Sequence, residues 1–297
     1  MELVQMRCSN CGSLESTPFL NTKKFLAVRC KICLLIYVTA RELTDNKSDY
    51  FGDTMVLKNV EYYKGFREQA FNRALGILEQ LKPDKGKILD IGSSFGWFLH
   101  AANQRGWQVV GLEPSKTSIA EMKKAYNYTV VNAQVNGIKD IQHTFDAVTM
   151  WNVLEHLPDP SGVLKVVYEK LNSNGILAIA VPNLNGLITR IIIFVHKLTG
   201  STFDKEADSL YQSDNPFMHV YHFSEKTLRQ MLEKSGFEIV KIMKQDIIDT
   251  GKIETRLELD HADSRINWLR AFALRLLSKL SQILGMQDEL VVYARKV

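Results

Sequence analysis

The chain has 297 residues, a length that suits either one large domain with a small module or two modest domains. Hydrophobic residues make up 45% of the sequence and charged residues 24%, a composition that excludes a disordered or collagen-like chain. The net charge is +4, which by itself indicates neither a nucleic acid nor an anionic membrane as a partner. The sequence has no apolar run long enough to span a bilayer and no signal-peptide pattern at its N-terminus, so we expect a cytoplasmic protein.

All four cysteines fall near the N-terminus, in the pairs Cys8-x-x-Cys11 and Cys30-x-x-Cys33. Eighteen residues separate the pairs, a spacing typical of a structural zinc site in which two tight turns each supply two thiolates. A redox pair would stand at the start of a helix in a βαβ unit, and neither pair does; a chance arrangement is the other alternative. We therefore predict a zinc-ribbon module at residues 1–40, in which the ion stabilises the fold and has no open position for catalysis.

The sequence beyond the cysteines predicts an alternation of helices and strands. Residues 41–60 are mixed and polar and form a predicted linker, and apolar residues at helical spacing predict a helix at 61–81. Strands are then predicted at 87–91, 108–113, 129–131, 145–150, 176–181, 237–243 and 288–296. Further helices are predicted at 95–104, 115–126, 160–171 and 224–236. Such alternation is typical of βαβ units, so we expect a doubly wound α/β domain at 61–297 with a mainly parallel sheet.

Two segments interrupt this alternation: 183–222, predicted as a lid insert, and 255–286, predicted as a helical insert. The second contains a helical stretch at 264–284 that combines an apolar stripe with basic residues at or beyond its margins. The stripe consists of Ile266, Leu269, Phe272, Leu276, Leu280 and Ile283, and the basic residues are Arg270, Arg275 and Lys279. Such a helix would suit a peripheral membrane contact or a lipid-linked substrate, but packing on the protein's own core or on a second subunit is the simpler interpretation.

A glycine-containing turn follows the strand at 87–91, in the sequence Asp90-Ile91-Gly92-Ser93-Ser94-Phe95-Gly96. The strand ends in an acid, the turn follows, and a helix begins; Glu113 then ends the next strand about 20 residues downstream. A carboxylate at that position can accept hydrogen bonds from the hydroxyls of a ribose, as in dinucleotide-binding folds. A nicotinamide cofactor is nevertheless disfavoured, because Ser94 replaces the second glycine of G-x-G-x-x-G and no third glycine follows Gly96.

The same turn also matches the G-x-S-x-G pattern of a serine hydrolase, with Ser94 as the nucleophile. That nucleophile stands in the middle of a sheet, after several strands, whereas the strand at 87–91 is predicted to be the first of its sheet. The sequence also lacks an H-G-G-G segment, which would help to form the oxyanion hole. A third interpretation comes from a resemblance to a known family.

The resemblance rests on four stretches: ILDIGSSFGWFL, VVGLEPS, FDAVTMWNVLEHLPDP and HVYHFSEKTLRQMLEKSGFEIV. Together with the cysteine pairs, they resemble the class I S-adenosylmethionine (AdoMet)-dependent methyltransferases that have an N-terminal zinc ribbon, over nearly the whole chain apart from the inserts. The sequence departs from the family at Ser94, where glycine is usual, but serine is small enough to keep the turn. The resemblance implies a Rossmann-like sheet of seven strands behind the zinc ribbon, and AdoMet as the cofactor.

The resemblance also implies which residues bind AdoMet. Glu113 would bind the ribose hydroxyls, and Asp90 would order the turn or approach the amino-acid part of the cofactor. The full implied set is Asp90, Gly92, Ser93, Ser94, Gly96, Glu113, Pro114, Ser115, Asn132, Ala133, Trp151 and Asn152. Within it, the pair at 114–115 would lie beside the adenine, the pair at 132–133 near its amino group, and the pair at 151–152 near the methionine end. The alternative roles are a helix cap for Asp90, a solvated strand-end charge for Glu113 and an aromatic side chain of the core for Trp151.

Three histidines are predicted near the methyl acceptor. Methyl transfer needs a base where the acceptor must lose a proton, and histidine is a common choice. His156 follows the strand at 145–150, at the carboxyl edge where open α/β sheets bind ligands. His219 and His222 end the insert at 183–222, where the family often places substrate-binding elements. Packing under the next helix is the alternative role for His222, and capping of the loop is the one for His219.

We therefore predict an enzyme that transfers a methyl group from AdoMet to a small-molecule acceptor, such as a metabolite, a sugar or a glycan intermediate. An RNA methyltransferase that uses the ribbon to bind RNA and a non-catalytic AdoMet-binding protein are the alternatives. The modest net charge, the absence of clustered Lys and Arg on the ribbon and the absence of an N-P-P-Y-like tetrapeptide disfavour RNA. The sequence leaves open the acceptor atom and the oligomeric state.

Overall fold

The computed structural model describes residues 6–39, 60–213, 218–246, 253 and 264–297. The predicted linker at 41–60 lies outside these residues except for Val60, which begins the first helix. The first part of the predicted helical insert, 255–263, lies outside them as well.

The described residues form strands, α-helices and short 3-10 helices whose bounds follow in chain order. The strands are β1 (Ser16–Asn21), β2 (Leu26–Cys30), β3 (Ile36–Val38), β4 (Lys87–Ile91), β5 (Gln108–Leu112), β6 (Thr129–Val131), β7 (Phe145–Trp151), β8 (Leu171–Pro182), β9 (Tyr221–His222), β10 (Phe237–Gln245) and β11 (Glu289–Lys296). The helices are α1 (Val60–Leu81), α2 (Trp97–Gln104), α3 (Lys116–Ala125), α4 (Pro160–Lys170), α5 (Leu187–Thr199), α6 (Asp204–Tyr211), α7 (Glu225–Lys234) and α8 (Ser264–Leu284). The 3-10 helices are Val135–Asp140, Leu154–His156 and Gly200–Phe203.

Seven strands form one sheet, in the order β10-β11-β8-β7-β4-β5-β6. Neighbouring strands from β8 to β6 are parallel, and β11 runs antiparallel to both of its neighbours. This confirms the predicted α/β fold with a mainly parallel sheet of seven strands. The chain places β5 on one side of β4 and β7 on the other, so the strand order reverses at β4. Open α/β sheets bind ligands beside the carboxyl ends of the strands at such a point.

Both faces of this sheet are buried, as expected for parallel strands with continuous apolar runs. Ile88 and Ala178 point to one face, where they pack with Leu75 of α1 and Phe98 of α2. Alternate residues such as Leu89 point to the opposite face and pack with residues of α4 and α7. Helices cover both faces of the sheet. A ligand can therefore reach the polar side chains at the carboxyl ends of the strands more readily than those on either face.

The strands β1 to β3 form a second sheet together with β9, which belongs to the predicted lid insert. β3 and β9 are antiparallel, with Tyr37 opposite Tyr221. The backbone N–H of Val38 also donates to the carbonyl oxygen of Val220, over 2.9 Å. Side chains of both segments belong to one buried cluster. The segment predicted as a zinc ribbon is therefore joined to the α/β domain through the end of the lid insert.

Helix α8 matches the helix predicted at 264–284, but the surroundings of its apolar stripe differ from our expectation. The described side chains of the stripe are 39% to 80% exposed, and they are Leu269, Phe272, Leu276, Leu280 and Ile283. The interpretation that these residues pack on the protein's own core is therefore wrong. Within the described ranges, no helix is both long enough and apolar enough to cross a bilayer.

Candidate functional site

The turn between β4 and α2 has left-handed backbone conformations at three positions. The φ angle is +74° at Gly92, +47° at Ser94 and +74° at Gly96. A Cβ atom at Gly92 would lie 2.6 Å from Val153 Cγ2, and one at Gly96 would overlap Met122 Sδ. These two positions therefore require glycine on steric grounds as well. Ser94 adopts the conformation that the family fills with glycine, at a cost of about 1 kcal/mol.

The Glu113 side chain is buried between this turn and the start of α3. Its Oε2 accepts the backbone N–H of Ser94 over 2.8 Å, and its Oε1 accepts the backbone N–H of Ser115 over 2.9 Å. Burial raises the pKa of Glu113, while the two backbone hydrogen bonds act in the opposite direction. Since Glu113 is only 6% exposed, the alternative of a solvated strand-end charge is wrong.

Asp90 is a second buried carboxylate at the same edge of the sheet. Its Oδ1 accepts a hydrogen bond from the hydroxyl of Thr149 on β7, over 2.6 Å. Burial raises the pKa of Asp90 from 3.8 to about 8, and the nearby charge of Glu113 acts in the same direction. Asp90 does not cap α2, because Gly96 occupies the N-cap and no side chain bonds there. The site therefore contains two buried carboxylates, and their hydrogen bonds with the protein do not fully offset the cost of burying the charged forms.

The loop after Glu113 is fixed by neighbouring side chains. The amide nitrogen of Asn132 donates to the carbonyl oxygens of Glu113 and Pro114, over 3.0 and 2.9 Å. The Ser115 hydroxyl accepts the backbone N–H of Ser118 and so caps α3. Asn132 and Ser115 thus hold the backbone around Pro114, and Ala133 follows half-buried at the end of β6.

Ser93 lies beneath the turn. It is 5% exposed, and its side chain packs so closely on β5 that a Cβ atom at Gly111 would lie 2.7 Å from Ser93 Oγ. The predicted residues between 90 and 133 therefore gather at the ends of β4, β5 and β6.

A pocket opens on the other side of β4, where β7, β8, β10 and β11 end or begin. Its polar and aromatic lining consists of Arg67, Phe71, Trp151, Asn152, Gln245 and Glu289. Trp151 packs against Phe71 and Phe98, with ring centroids 5.7 and 5.1 Å away. Trp151 and Asn152 therefore line this pocket at the end of β7, the strand that pairs with β4.

Glu289 is the buried carboxylate of this pocket. Its Oε1 accepts the amide N–H of Asn152 over 3.0 Å, and its Oε2 accepts that of Gln245. Burial raises the pKa of Glu289, while these hydrogen bonds and the charge of Arg67 act in the opposite direction. Sequence reasoning missed Glu289, Gln245 and Arg67. Gln245 stands opposite Glu289 in the β10–β11 pair, and only that pairing brings the two together.

The three predicted histidines form one cluster beside the lid insert. The ring centroids of His156 and His219 are 4.8 Å apart, and those of His219 and His222 are 6.0 Å apart. His219 Nδ1 and His222 Nε2 lie 2.8 and 3.1 Å from the carbonyl oxygen of Leu210. Both rings therefore hold the insert by donating to this carbonyl.

Burial decides the protonation state of two of these histidines. It lowers the pKa of His222 to about 4 and also lowers that of His219, so both are neutral near pH 7. His222 is 2% exposed and stacks on Tyr211 at 4.2 Å. It is therefore a packed side chain, but the ring it stacks on belongs to α6, which precedes it, and not to the helix that follows. The side chain of His156 is more accessible, at 15% exposed.

Glu155 lies beside this cluster and was missed by the sequence reasoning. Its side chain is fully buried, and neither carboxylate oxygen has a hydrogen-bond partner among the described residues. Burial raises the pKa of Glu155 to about 8. One carboxylate oxygen of Glu155 and one ring nitrogen each of His156 and His219 lie within 4.8 Å of one another, close enough to hold a divalent cation.

The four cysteines form one cluster. The Sγ atoms of Cys8 and Cys33 are 3.4 Å apart, as are those of Cys11 and Cys30. All four sulfur atoms lie within 4.8 Å of one another, and none is in a disulfide. This arrangement fits the four thiolates of a tetrahedral zinc ion, with each C-x-x-C turn contributing two.

The geometry gives little support to the interpretation of Ser94 as the nucleophile of a serine hydrolase. β4 is the first strand of its sheet along the chain yet lies in the middle of it, so its chain order alone does not exclude a nucleophile elbow. Among the described residues, however, no histidine hydrogen-bonds to the Ser94 hydroxyl, and such a pair is what would activate a serine nucleophile.

Comparison with known proteins identifies the family. A family model described as a methyltransferase domain matches residues 63–242, which is more than half of the chain. The chain therefore belongs to this methyltransferase-domain family. The ubiquinone biosynthesis O-methyltransferase of Xanthomonas axonopodis pv. citri (strain 306) is 27% identical over 113 residues, which cover 36% of this chain and 47% of that protein. The match thus spans about half the length of such curated relatives.

Solved structures support the fold. A SAM-dependent methyltransferase from Archaeoglobus fulgidus aligns with a TM-score of 0.54 at 20% identity, over 82% of this chain and all of that chain (100%). The phosphoethanolamine N-methyltransferase 2 of Haemonchus contortus, solved with phosphomonomethylethanolamine and S-adenosylhomocysteine, aligns with a TM-score of 0.50 at 19% identity. That alignment covers 76% of this chain and 52% of the Haemonchus chain. Both likenesses show a Rossmann-like methyltransferase fold.

The pKa of Asp90 predicts how stability depends on pH. The folded state keeps a proton that the unfolded chain releases, so protonation stabilises the fold fully below about pH 4 and this contribution is lost as the pH rises towards 8. Asp90→Asn cannot ionise and can still accept the Thr149 hydroxyl. We expect it to gain stability relative to the wild type between pH 5 and 8, by on the order of a few kcal/mol. Urea unfolding without ligand measures this difference.

The matched control is Asp140→Asn, because Asp140 is exposed. It should follow the wild-type pH dependence. If Asp90→Asn also follows the wild-type curve, Asp90 is ionised in the folded state and the account of its burial is incorrect.

Proposed function

We propose that this protein transfers a methyl group from AdoMet to a small-molecule acceptor. The observation that carries the proposal is the Glu113 carboxylate, which two backbone N–H groups hold beside the glycine turn at the carboxyl end of β4. Each carboxylate oxygen keeps a lone pair beyond the one that accepts a backbone N–H. Glu113 can therefore also accept the two hydroxyls of the AdoMet ribose.

The charge of the site supports AdoMet over a dinucleotide. AdoMet carries a sulfonium and an ammonium group, whereas a dinucleotide brings a negatively charged pyrophosphate. Asp90 and Glu113 are both buried and both have raised pKa values, so a cationic ligand stabilises their charged forms and an anionic one does not. Gly92 and Gly96 let the turn pack tightly against the side chains of Val153 and Met122.

Some of the other predicted residues contact AdoMet in this proposal, and others hold the loops that bear those contacts. Pro114 and Ala133 flank the adenine, while Ser115 and Asn132 fix the loop that bears Pro114. Ser93 and Ser94 form the turn itself. Trp151 and Asn152 border the methionine end, between the cofactor side and the pocket.

The pocket on the β7–β11 side suits the acceptor. AdoMet supplies a methyl group bonded to a positively charged sulfur, and the acceptor must approach that carbon in line with the breaking bond. The pocket lies across Trp151 and Asn152 from the glycine turn, and the aromatic rings of Phe71 and Trp151 help to exclude water from it. Glu289, with its raised pKa, faces the acceptor and can take its proton.

The predicted histidine bases remain part of the proposal. His156 is the most accessible of the three and is the histidine we propose to act as a base. His219 and His222 act by positioning the lid insert, because both rings bond the carbonyl of Leu210. Glu289 and His156 are thus the two candidates for the group that accepts the proton.

A small molecule is favoured over RNA as the acceptor. The curated relatives carry the name ubiquinone biosynthesis O-methyltransferase, which refers to a small-molecule acceptor. Two basic side chains of the ribbon are engaged within the protein: Lys24 pairs with Asp208, and the guanidinium of Arg29 lies over the ring of Phe19. These two are therefore less available to bind phosphate.

A transfer assay tests the proposed function. The protein is incubated with methyl-labelled AdoMet and either a small-molecule cell extract or total RNA. We expect label in the small-molecule fraction, and we expect Glu289→Gln to lower the transfer rate about a hundredfold, as the loss of a general base does. AdoMet affinity should not change, because Glu289 lies on the acceptor side.

Glu238→Gln is the matched control, since Glu238 is exposed on the neighbouring strand β10, and it should transfer at the wild-type rate. Label in the RNA fraction would instead identify an RNA methyltransferase. Binding of AdoMet without label in either fraction would identify a non-catalytic AdoMet-binding protein.

We further propose that the four cysteines hold one structural zinc ion. The first cysteine turn contacts the α/β domain directly: the Ser161 hydroxyl donates to the carbonyl oxygen of Ser9 over 2.7 Å, and Lys234 Nζ donates to that of Asn10 over 3.2 Å. Because the ribbon also pairs with β9, the ion stabilises the lid insert as well as the ribbon.

Removal of the ion tests this zinc site. We expect about one zinc per chain by elemental analysis, and we expect Cys30→Ser to lose the metal and to lower the melting temperature by several degrees or more. Thr17→Ala, at an exposed position of the same ribbon, should keep both zinc and stability. A metal-free wild type with an unchanged melting temperature after chelation would contradict the proposal.

A further inference from the structure

Helix α8 has the reverse of the usual amphipathic arrangement. Globular proteins normally turn the apolar face of a surface helix inward. Here the buried positions are small or polar, and they are Asn267, Ala271, Ser278 and Ser281. The opposite face presents Trp268, Leu269, Phe272, Leu276, Leu280 and Ile283 to the solvent. A row of large apolar side chains on a folded surface marks a contact with another hydrophobic phase.

The small polar face of α8 is held firmly. The Asp246 carboxylate at the end of β10 accepts hydrogen bonds from the hydroxyls of Ser278 and Ser281, over 2.8 and 3.0 Å, and from the Gln282 amide, over 2.6 Å. Ala271 also packs with Ile253, which is fully buried. The outward direction of the apolar face is therefore fixed by specific contacts on the inward side.

Helix α5 adds to the same feature. It contacts α8, and it exposes Ile191, Phe194 and Leu198, which recur at helical spacing on one side. Phe194 is 63% exposed and Leu198 71%. Its buried positions are again partly polar, with Thr189 and His196 among them.

The charges on these helices have one sign. Neither α5 nor α8 contains an aspartate or a glutamate. Their basic residues are Arg190, Lys197, Arg265, Arg270, Arg275 and Lys279. Large apolar side chains flanked by basic residues match the acyl and headgroup layers of an anionic bilayer, and a tryptophan such as Trp268 suits the boundary between them.

Both helices are attached next to the acceptor pocket. Asp246, which holds α8, directly follows Gln245 of the pocket lining. Asp288, whose Oδ1 accepts the backbone N–H and the hydroxyl of Thr189 on α5, directly precedes Glu289. A surface bound by these helices therefore lies beside the carboxyl edge of the sheet.

We propose that the exposed apolar faces of α8 and α5 dock this protein on an anionic lipid bilayer. The helices lie on the bilayer and do not cross it, because α5 has only 13 residues and the 21 residues of α8 include four basic ones. A second copy of the chain fits less well. A twofold interface would bring helices with only basic charges together, with no carboxylate on either helix to pair with them.

Vesicle sedimentation with the full-length protein tests the proposal. The probes are vesicles of phosphatidylcholine alone and vesicles that also contain phosphatidylglycerol. We expect the wild type to sediment with the anionic vesicles at least about tenfold more strongly than with the neutral ones, and to be partly released by salt. Phe272→Glu combined with Ile283→Glu should abolish this binding, because it places two carboxylates in the apolar face.

Leu14→Glu combined with Val297→Glu is the matched control, since both residues are exposed and apolar but lie outside α5 and α8. It changes the net charge equally and should still bind anionic vesicles. Both double variants should keep the wild-type circular dichroism spectrum, since the substituted side chains are exposed. Equal sedimentation of the two double variants, or no sedimentation of the wild type, overturns the proposal. Dimers in sedimentation velocity that Phe272→Glu with Ile283→Glu converts to monomers, without vesicle binding, would assign the face to a second copy.

Discussion

The Glu113 carboxylate joins two loops at the edge of the sheet, and the geometry of the glycine turn and of the start of α3 depends on this connection. A buried carboxylate is costly unless donors surround it, and here the backbone N–H groups of Ser94 and Ser115 supply two hydrogen bonds. The same bonds hold Ser94 in a left-handed conformation that serine otherwise avoids. Without this carboxylate, two buried backbone donors lose their partner, and both the glycine turn and the start of α3 are released.

The carboxyl edge of the sheet carries three carboxylates with different surroundings. Asp90 and Glu113 lie on the β4–β5 side, and Glu289 lies in the pocket between β7 and β11. Burial raises the pKa of each, but Asp90 keeps one side-chain hydrogen bond from Thr149, while Glu289 receives two from Asn152 and Gln245. This division gives the proposed cofactor and the proposed acceptor separate carboxylates on the two sides of the strand reversal.

Much of the fold was predictable because apolar runs and helical spacing are local signals. The alternation of strands and helices and the glycine turn before Glu113 needed no tertiary information. The pairing of Gln245 with Glu289 could not be predicted, since it depends on which strands become neighbours. Pairing across the sequence also determines that the ribbon strand β3 meets β9 of the lid insert.

The direction of the α8 apolar face could not be predicted either. Periodicity reveals that a helix has two faces, but the contacts of Asp246 with Ser278 and Ser281 decide which face is turned inward. Likewise, the sequence brought His222 forward as a candidate base, whereas its stacking on Tyr211 depends on how the lid insert folds back. Long-range packing determines which helix face and which side chains are buried, and the local sequence pattern does not reveal that packing.

Calorimetric titration with AdoMet and S-adenosylhomocysteine, on the wild type and on Glu113→Ala, tests the central claim most directly. Loss of the carboxylate removes two charge-assisted hydrogen bonds to the ribose, so affinity for both ligands should fall by at least about tenfold from a micromolar wild-type value. Glu169→Ala, at an exposed position on α4, should bind as the wild type does, and Glu113→Gln serves as a second variant should the alanine fold poorly. No binding by the folded wild type, or equal affinity of folded Glu113 variants, would contradict the assignment of this turn as the cofactor site.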